Sequence, residues 1–419
     1  MSSVPIGYLI PSLLLAWCTY YVVAPRNWPR MFNSLGFYFG VINELPFLAL
    51  FWLFGETWLA FSQGDVSSLV GWLAFGLTIL AVAGLLVIIH WGLQAAPVVN
   101  RGLDDNLGQR WRDSIDAKIA RRLHNRFTFT ALLGPFFVRR HDVKRIANIQ
   151  YGDAGVHHLL DIYRHKSLPT NRPVLIHFHG GAMVSGSKNR QALPLLYRLA
   201  SQGWVCVSAN YRLSPAATFP DQLIDAKKVI AWIREYGKQY GANPDSIFVA
   251  GSSSGAQLAA LAALTSNDPK LQPGFENVDT SVSAAINLYG DYDWLDTNGT
   301  WTDSGRDRTG FLASIMKSSP AEDREAWEQA SPLTRIRKDA PPFFVIHGDR
   351  DTSLPVQDAH HFAQKLRSIS QSPVVYAELP GAEHNLDLFH SIRNEAVMDG
   401  IDAFAAWVCT NNKHNSDRS

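Results

Sequence analysis

Hydrophobic and polar positions are spread very unevenly along this chain. Residues 6–24 form an apolar run without a charge, and residues 69–92 (LVGWLAFGLTILAVAGLLVIIHWG) form a second, stronger one. As helices rising about 1.5 Å per residue, both are long enough for a hydrocarbon core about 30 Å thick. Between them, residues 37–61 are apolar and aromatic but interrupted by Glu44, Pro46 and Glu56. This predicts a third span whose acids need partners, because a buried charge in a span is costly; the alternative is a re-entrant or interfacial helix. No positive n-region precedes Ile6 and further apolar runs follow, which argues against a cleaved signal peptide. Residues 1–98 contain only five acidic or basic side chains, so the membrane segment is expected to end there.

Residues 99–148 read as a basic amphipathic linker or cap region. Over 108–126, Trp111, Ile115, Ile119 and Leu123 recur every four residues among Arg110, Arg112, Lys118, Arg121, Arg122 and Arg126. Such a helix suits anionic headgroups, or else it packs on the domain that follows. Arg139, Arg140, Lys144 and Arg145 come next.

From residue 149 to 409 short apolar runs alternate with helical stretches. Strands are expected at 174–179, 204–209, 246–251, 284–289, 343–348 and 374–379, with helices at 221–240, 254–266 and 356–370. Continuous apolar strands separated by helices predict an α/β fold: a mostly parallel sheet covered on both faces, with its site at the carboxyl ends of the strands. The polar tail 410–419 is expected to be disordered.

Composition adds exclusions. A length of 419 residues favours two structural units, and a net charge of +1 does not fit a nucleic-acid-binding protein. Cys18, Cys206 and Cys409 make no disulfide framework, and no zinc-site spacing occurs. With three spans, Arg26 and Arg30 after the first run and Arg101, Arg110 and Arg112 after the last put the following domain in the cytoplasm.

The chemistry sits at predicted strand ends. Gly251-Ser252-Ser253-Ser254-Gly255 follows the strand text SIFVA and opens the helix text SGAQLAALAAL. Glycine–x–serine–x–glycine at such a junction is a nucleophile elbow, with Ser253 central and Gly251 and Gly255 keeping the turn open. His179-Gly180-Gly181-Ala182 ends the strand text VLIHFH, so the amides of Gly181, Ala182 and Ser254 are candidate oxyanion donors. His177 and His179 share a strand face, but no third ligand accompanies them; no metal is expected, and His179 is assigned to shaping the loop. Asp351, in HGDRDTSLP, and His384, in PGAEHNLDLF, each follow a strand. Serine, acid, histidine is the α/β-hydrolase order. Asp349 is the rival acid, and Glu383 should point elsewhere.

These residues resemble the hormone-sensitive-lipase-type carboxylesterases of the α/β-hydrolase superfamily, over about 150–408. HFHGGAMVSGS (177–187), NYRLSPAATFPDQLIDA (210–226), VAGSSSGAQLA (249–259), HGDRDTSLP (347–355) and GAEHNLDLF (381–389) carry the resemblance. It implies ester hydrolysis through an acyl-enzyme, with the triad and amides already named and no cofactor. Two departures stand out: Ala182 replaces the third glycine of the family's His-Gly-Gly-Gly, which disfavours bulky tertiary-alcohol esters, and Ser252 replaces a frequent acidic residue. The three-run N-terminus is similar to membrane-anchored, lipase-like mycobacterial relatives, which implies a bacterial inner membrane. The expected partners are the membrane and a lipid or apolar ester, with no nucleic acid and no metal. The same triad would serve an acyltransferase or a formamidase-like amidase, and the remaining alternative is a non-catalytic scaffold. Residues 291–340 are expected to cap the pocket, with Trp294, Trp301, Phe311 and Met316 lining it.

Overall fold

The computed structural model of the chain describes residues 5–24, 42–116, 134–303 and 308–416. Three long helices come first among the described residues: α1 (Ile6–Val23), α2 (Pro46–Gln63) and α3 (Leu69–Leu107). Pro46 presets the first turn of α2, and the Ser68 hydroxyl caps α3 by accepting the Gly71 amide at 3.0 Å. Among the described residues, α1 and α3 are long and apolar enough to cross a membrane. Within the expected middle run, residues 42–44 are helical and α2 follows from Pro46; residues 37–41 lie outside the described residues.

The three helices alternate in direction. Tyr8, near the start of α1, bonds Thr57 in the second half of α2 at 3.3 Å and Thr78 in the first half of α3 at 3.1 Å; Ser12 reaches Thr78 at 3.0 Å. Hydroxyl pairs of this kind join helices where no hydrophobic force between them exists. The outward faces are apolar, with Ile10, Phe51, Phe54, Leu69 and Leu80 all more than half exposed.

The apolar run 69–92 belongs to a longer helix. α3 continues to Leu107, past the boundary expected at 98, and Ala95, Val99 and Leu103 are buried with Phe344, Val375, Val397 and Ile401 of the following domain. Within the expected amphipathic stretch, residues 111–114 form a short 3-10 turn. Trp111 and Ile115 are buried in the same cluster, so the described part of 108–126 packs on the domain; the rest, from 117, lies outside the described residues.

The domain is built on an eight-stranded sheet among the described residues, in the order β1-β2-β4-β3-β5-β6-β7-β8. Its strands are β1 (Val143–Gln150), β2 (Leu159–His165), β3 (Arg172–Phe178), β4 (Val205–Ala209), β5 (Ala242–Ser252), β6 (Ala284–Leu288), β7 (Phe343–Gly348) and β8 (Val374–Leu379). β2 pairs antiparallel with both β1 and β4, and β3 through β8 run parallel. The six expected strands are all present within a few residues. β1 and β2 are additions, so the domain begins at 143 and not at 149. Their text (VKRIANIQ, LLDIYRH) is half polar because β1 is an edge strand. The buried Asp161 on β2 is neutralised by Arg145 at 2.5 Å and Lys188 at 2.6 Å.

Helices cover both faces. α4 (Leu193–Ser201), α10 (Ile392–Ser416) and the second half of α3 share one buried cluster; α5 (Asp221–Tyr236), α6 (Ser254–Leu264) and α9 (Val356–Ile369) share the other. The latter cluster also takes in α7 (Thr309–Met316) and α8 (Arg324–Ala330), from the stretch expected to form a cap. α10 runs into the expected disordered tail, with its backbone helical through Ser416; residues 417–419 lie outside the described residues. Thr410 closes onto the Ala406 carbonyl at 3.0 Å. With β3, β5, β7 and β8 parallel, the loops after Phe178, Ser252, Gly348 and Leu379 emerge on one edge.

Candidate active site

β5 ends at Ser252, and α6 begins at Ser254. Ser253 between them has φ 57° and ψ −126°, a conformation that costs an L-residue energy and holds its side chain up from the turn. Its amide bonds the Leu288 carbonyl at 2.9 Å, which pins the turn to β6. The glycines two positions away on either side are required by space. A Cβ on Gly255 would press into the carbonyls of Phe178 and His179, and one on Gly251 into the backbone of Gly255.

The structure brings Ser253, His384 and Asp351 together. Ser253 Oγ lies 2.9 Å from His384 Nε2, and His384 Nδ1 lies 2.7 Å from Asp351 Oδ2. A carboxylate only accepts, so Nδ1–H donates to Asp351 and Nε2 is left to accept from the serine hydroxyl. Asp351 is fully engaged: its Oδ1 accepts the amides of Ser353 and Leu354 at 2.8 Å each, and His347 Nε2 approaches Oδ2 at 3.2 Å. Burial opposes ionisation there, but the charge on His384 and the bonds from both histidines hold the carboxyl far below its ordinary range. Burial likewise works against a charged His384, yet the Asp351 carboxylate raises its pKa above 6.5.

Neither rival acid reaches His384 through its ring. Asp349 Oδ1 accepts the Gly381 amide at 2.7 Å, and burial raises its pKa. Glu383 turns away, as expected, and accepts both the amide and the hydroxyl of Thr352 at 2.6 Å, which ties the acid loop to the histidine loop.

The glycine loop faces this relay across a cavity of about 1010 Å³, at the upper end of ordinary ligand pockets (roughly 300–1,000 Å³). Gly180, Gly181, Ala182, Ser253, Ser254 and His384 all line it. Among the described residues, the amides of Gly181, Ala182 and Ser254 have no hydrogen-bond acceptor. Ala182 itself has φ 53°, which explains why glycine is common at this position. His179 shapes the loop: its Nδ1 donates to the Gly180 carbonyl at 2.7 Å, and its ring stacks on Tyr211 at 4.5 Å. Burial pushes its pKa down to about 4, so the ring stays neutral. The described residues hold no cluster of three candidate metal ligands around it.

Several side chains with no sequence signal complete the site. Gln191 Oε1 accepts the Gly180 amide at 2.5 Å, while its Nε2 donates to Asn385 Oδ1 at 3.3 Å, so it joins the glycine loop to the histidine loop. Behind the elbow, Ser252 donates to Asp387 at 2.6 Å and meets His177 Nε2 at 3.0 Å. Tyr289 also bonds Asp387 and packs edge-on against the His384 ring at 4.5 Å. An acid therefore stands beside Ser252 after all, supplied from 135 residues further along.

The far wall is apolar. Trp294, Trp301, Phe311, Leu312 and Ile315 line it as the cap stretch suggested, together with Leu388 and Phe389; Met316 is buried but not among the lining residues. Arg308, the cation on this wall, is paired with Asp291 and lies 3.9 Å from the Trp301 ring centre. Such a site can attack a carbonyl carbon, stabilise the oxyanion and hold an apolar group.

Comparison with known proteins places this arrangement. The family described as BD-FAE matches residues 160–366. The probable carboxylic ester hydrolase LipM of Mycobacterium tuberculosis is 39% identical over 343 residues, 81% of this chain and 78% of that protein. Esterase LipQ of the same organism is 38% identical over 327 residues, 76% of each chain. Among solved structures, a truncated carbohydrate esterase from gut microbiota superimposes with a TM-score of 0.56 at 22% identity, over 64% of this chain and 99% of that one. The butyrate-bound esterase Est2 of Thermogutta terrifontis gives a TM-score of 0.50 at 22% identity, over 62% and 91%. At those identities the structural likeness speaks for the fold alone.

Proposed function

Since the chain belongs to the carboxylic ester hydrolases of the α/β-hydrolase superfamily, we propose that it is a membrane-anchored serine esterase with Ser253 as nucleophile, His384 as base and Asp351 as the orienting acid. The observation that carries the mechanism is the unbroken relay from Ser253 Oγ to Asp351, facing three unpaired amides.

Ser253 Oγ attacks the ester carbonyl carbon as its proton passes to His384 Nε2. The carbonyl oxygen becomes an oxyanion held by the amides of Gly181, Ala182 and Ser254. As the tetrahedral intermediate collapses, the carbon–oxygen bond to the alcohol breaks and His384 returns the proton to that oxygen. Water then gives a proton to His384 and attacks the acyl-enzyme. The carboxylic acid leaves, and Ser253 Oγ takes the proton back. Asp351 keeps Nδ1 protonated and offsets the charge on the ring.

The apolar wall of Trp294, Trp301 and Phe311 favours an apolar acyl or alcohol group over a charged one. Anchoring is supported by α1 and α3, and the alternating path of α1, α2 and α3 fits three crossings with the N-terminus opposite the hydrolase domain. In the sequence Arg26 and Arg30 follow the first apolar run and Arg101 follows the last, which favours the cytoplasm for the hydrolase domain. The substrate then meets the enzyme at the bilayer.

The mechanism fixes a pH dependence. Only neutral His384 can take the serine proton, and its pKa is raised above 6.5. For a soluble short-chain ester, kcat/KM should therefore fall tenfold per pH unit on the acid side, with a midpoint above 6.5. A profile flat between about pH 5 and 8 contradicts His384 as the base.

A further inference from the structure

Hydrogen bonds from the N-terminal helices reach the two loops that carry Asp351 and His384. Arg350, immediately before the acid, donates from Nη1 to the carbonyl oxygens of Val22, Val23 and Ala24 at 3.3, 3.2 and 3.1 Å. These are the last carbonyls of α1. A helix end leaves such groups unpaired and partly negative, so a guanidinium there is favourable both as donor and as charge. The same guanidinium lies over Trp91 of α3, 4.5 Å from the ring centre.

The histidine loop is held at both ends. Before His384, Asn43 Nδ2 donates to the Gly381 carbonyl at 2.8 Å, and a Cβ on Gly381 would run into the Trp91 ring. After it, Ser391 Oγ donates to Glu44 Oε2 at 2.5 Å, and Arg393 pairs with the other oxygen of Glu44. Glu44 and Arg393 are both buried, so losing either leaves an uncompensated charge. Glu44, the first acid to interrupt the middle apolar run, thus has its partner beside the histidine loop.

We propose that Arg350, Asn43 and the Glu44–Arg393 pair are positioning residues through which the membrane helices hold Asp351 and His384 in register with Ser253. The membrane segment then completes the active site as well as locating it. This rests on the triad reading above. Arg350, Asn43, Glu44 and Arg393 are not among the residues lining the cavity, so substrate binding is not their business. Their signature is a change in kcat at constant KM.

The test uses the full-length protein in nanodiscs, with a soluble short-chain ester, fluorophosphonate labelling rates and unfolding temperatures. Misplacing catalytic groups by about 1 Å costs on the order of 10²-fold. Arg350→Met is therefore expected to lower kcat and the labelling rate together by about 10- to 100-fold with KM within about twofold, and Arg350→Lys, which keeps the cation, to recover most of it. Asn43→Leu should show the same kcat-only loss to a smaller extent, and it stands in if Arg350→Met does not fold. The proposal is overturned if both variants keep wild-type kcat, if KM rises instead, or if Arg350→Lys is as impaired as Arg350→Met. A folded wild type that resists labelling would instead overturn the triad reading itself.

Discussion

Asp351→Asn is expected to lower kcat for ester hydrolysis by about 10⁴-fold while leaving the protein folded. The carboxylate accepts His384 Nδ1–H at 2.7 Å, and that bond decides which ring nitrogen is free to take the serine proton. An asparagine amide can donate in the same place. It would hold the opposite tautomer, with Nε2 protonated and useless as a base. His347 stands against the same oxygen of Asp351 at 3.2 Å, so the substitution also leaves a buried histidine with a poorer acceptor. Asp349→Asn should cost far less, because that carboxylate serves the Gly381 amide and not the ring. Comparing kcat of the two variants separates the acids; equal losses would contradict the assignment.

Gly255→Ala should be among the most damaging single methyl groups in the domain. The added carbon would sit 2.5 Å from the His179 carbonyl oxygen and 2.6 Å from the Phe178 carbonyl carbon, at the crossing of α6 with the end of β3. Backbone cannot rotate away as a side chain can. Overpacking ordinarily costs about 1–3 kcal/mol and here should exceed that, a large part of the roughly 5–15 kcal/mol that holds a domain together. Gly310→Ala is the control, with open space around its Cβ and an expected change within about 0.5 kcal/mol. Unfolding temperatures check both, and near-equal values would contradict the packing of the elbow against β3.

The parallel strands were legible because they are buried on both faces, and their text is almost wholly apolar. β1 and β2 were not, since Lys144, Arg145, Asp161 and Arg164 interrupt them and only the fold pairs Arg145 with Asp161. The second half of α3 hid for a related reason. Its inward stripe, Ala95, Val99 and Leu103, is small and lies among Pro97, Arg101 and two aspartates, which read as a linker. Ser253, Asp351 and His384 could be found because each follows a strand in a local motif. The roles of Gln191, Glu383 and Asp387 could not, because each bonds a residue remote in sequence, Gln191 to Asn385 194 positions away and Asp387 to Ser252 135 away. The bond between Asn43 and Gly381 spans 338 residues and leaves no trace in either segment.

In this mechanism Ser253 carries the acyl group. The most direct test of that is to label the full-length protein with a fluorophosphonate, digest it and weigh the peptides, with Ser253→Ala alongside. A single adduct is expected on the peptide holding Ser253, and none in the variant although it stays folded. An adduct on another serine, or equal labelling of both proteins, would contradict it.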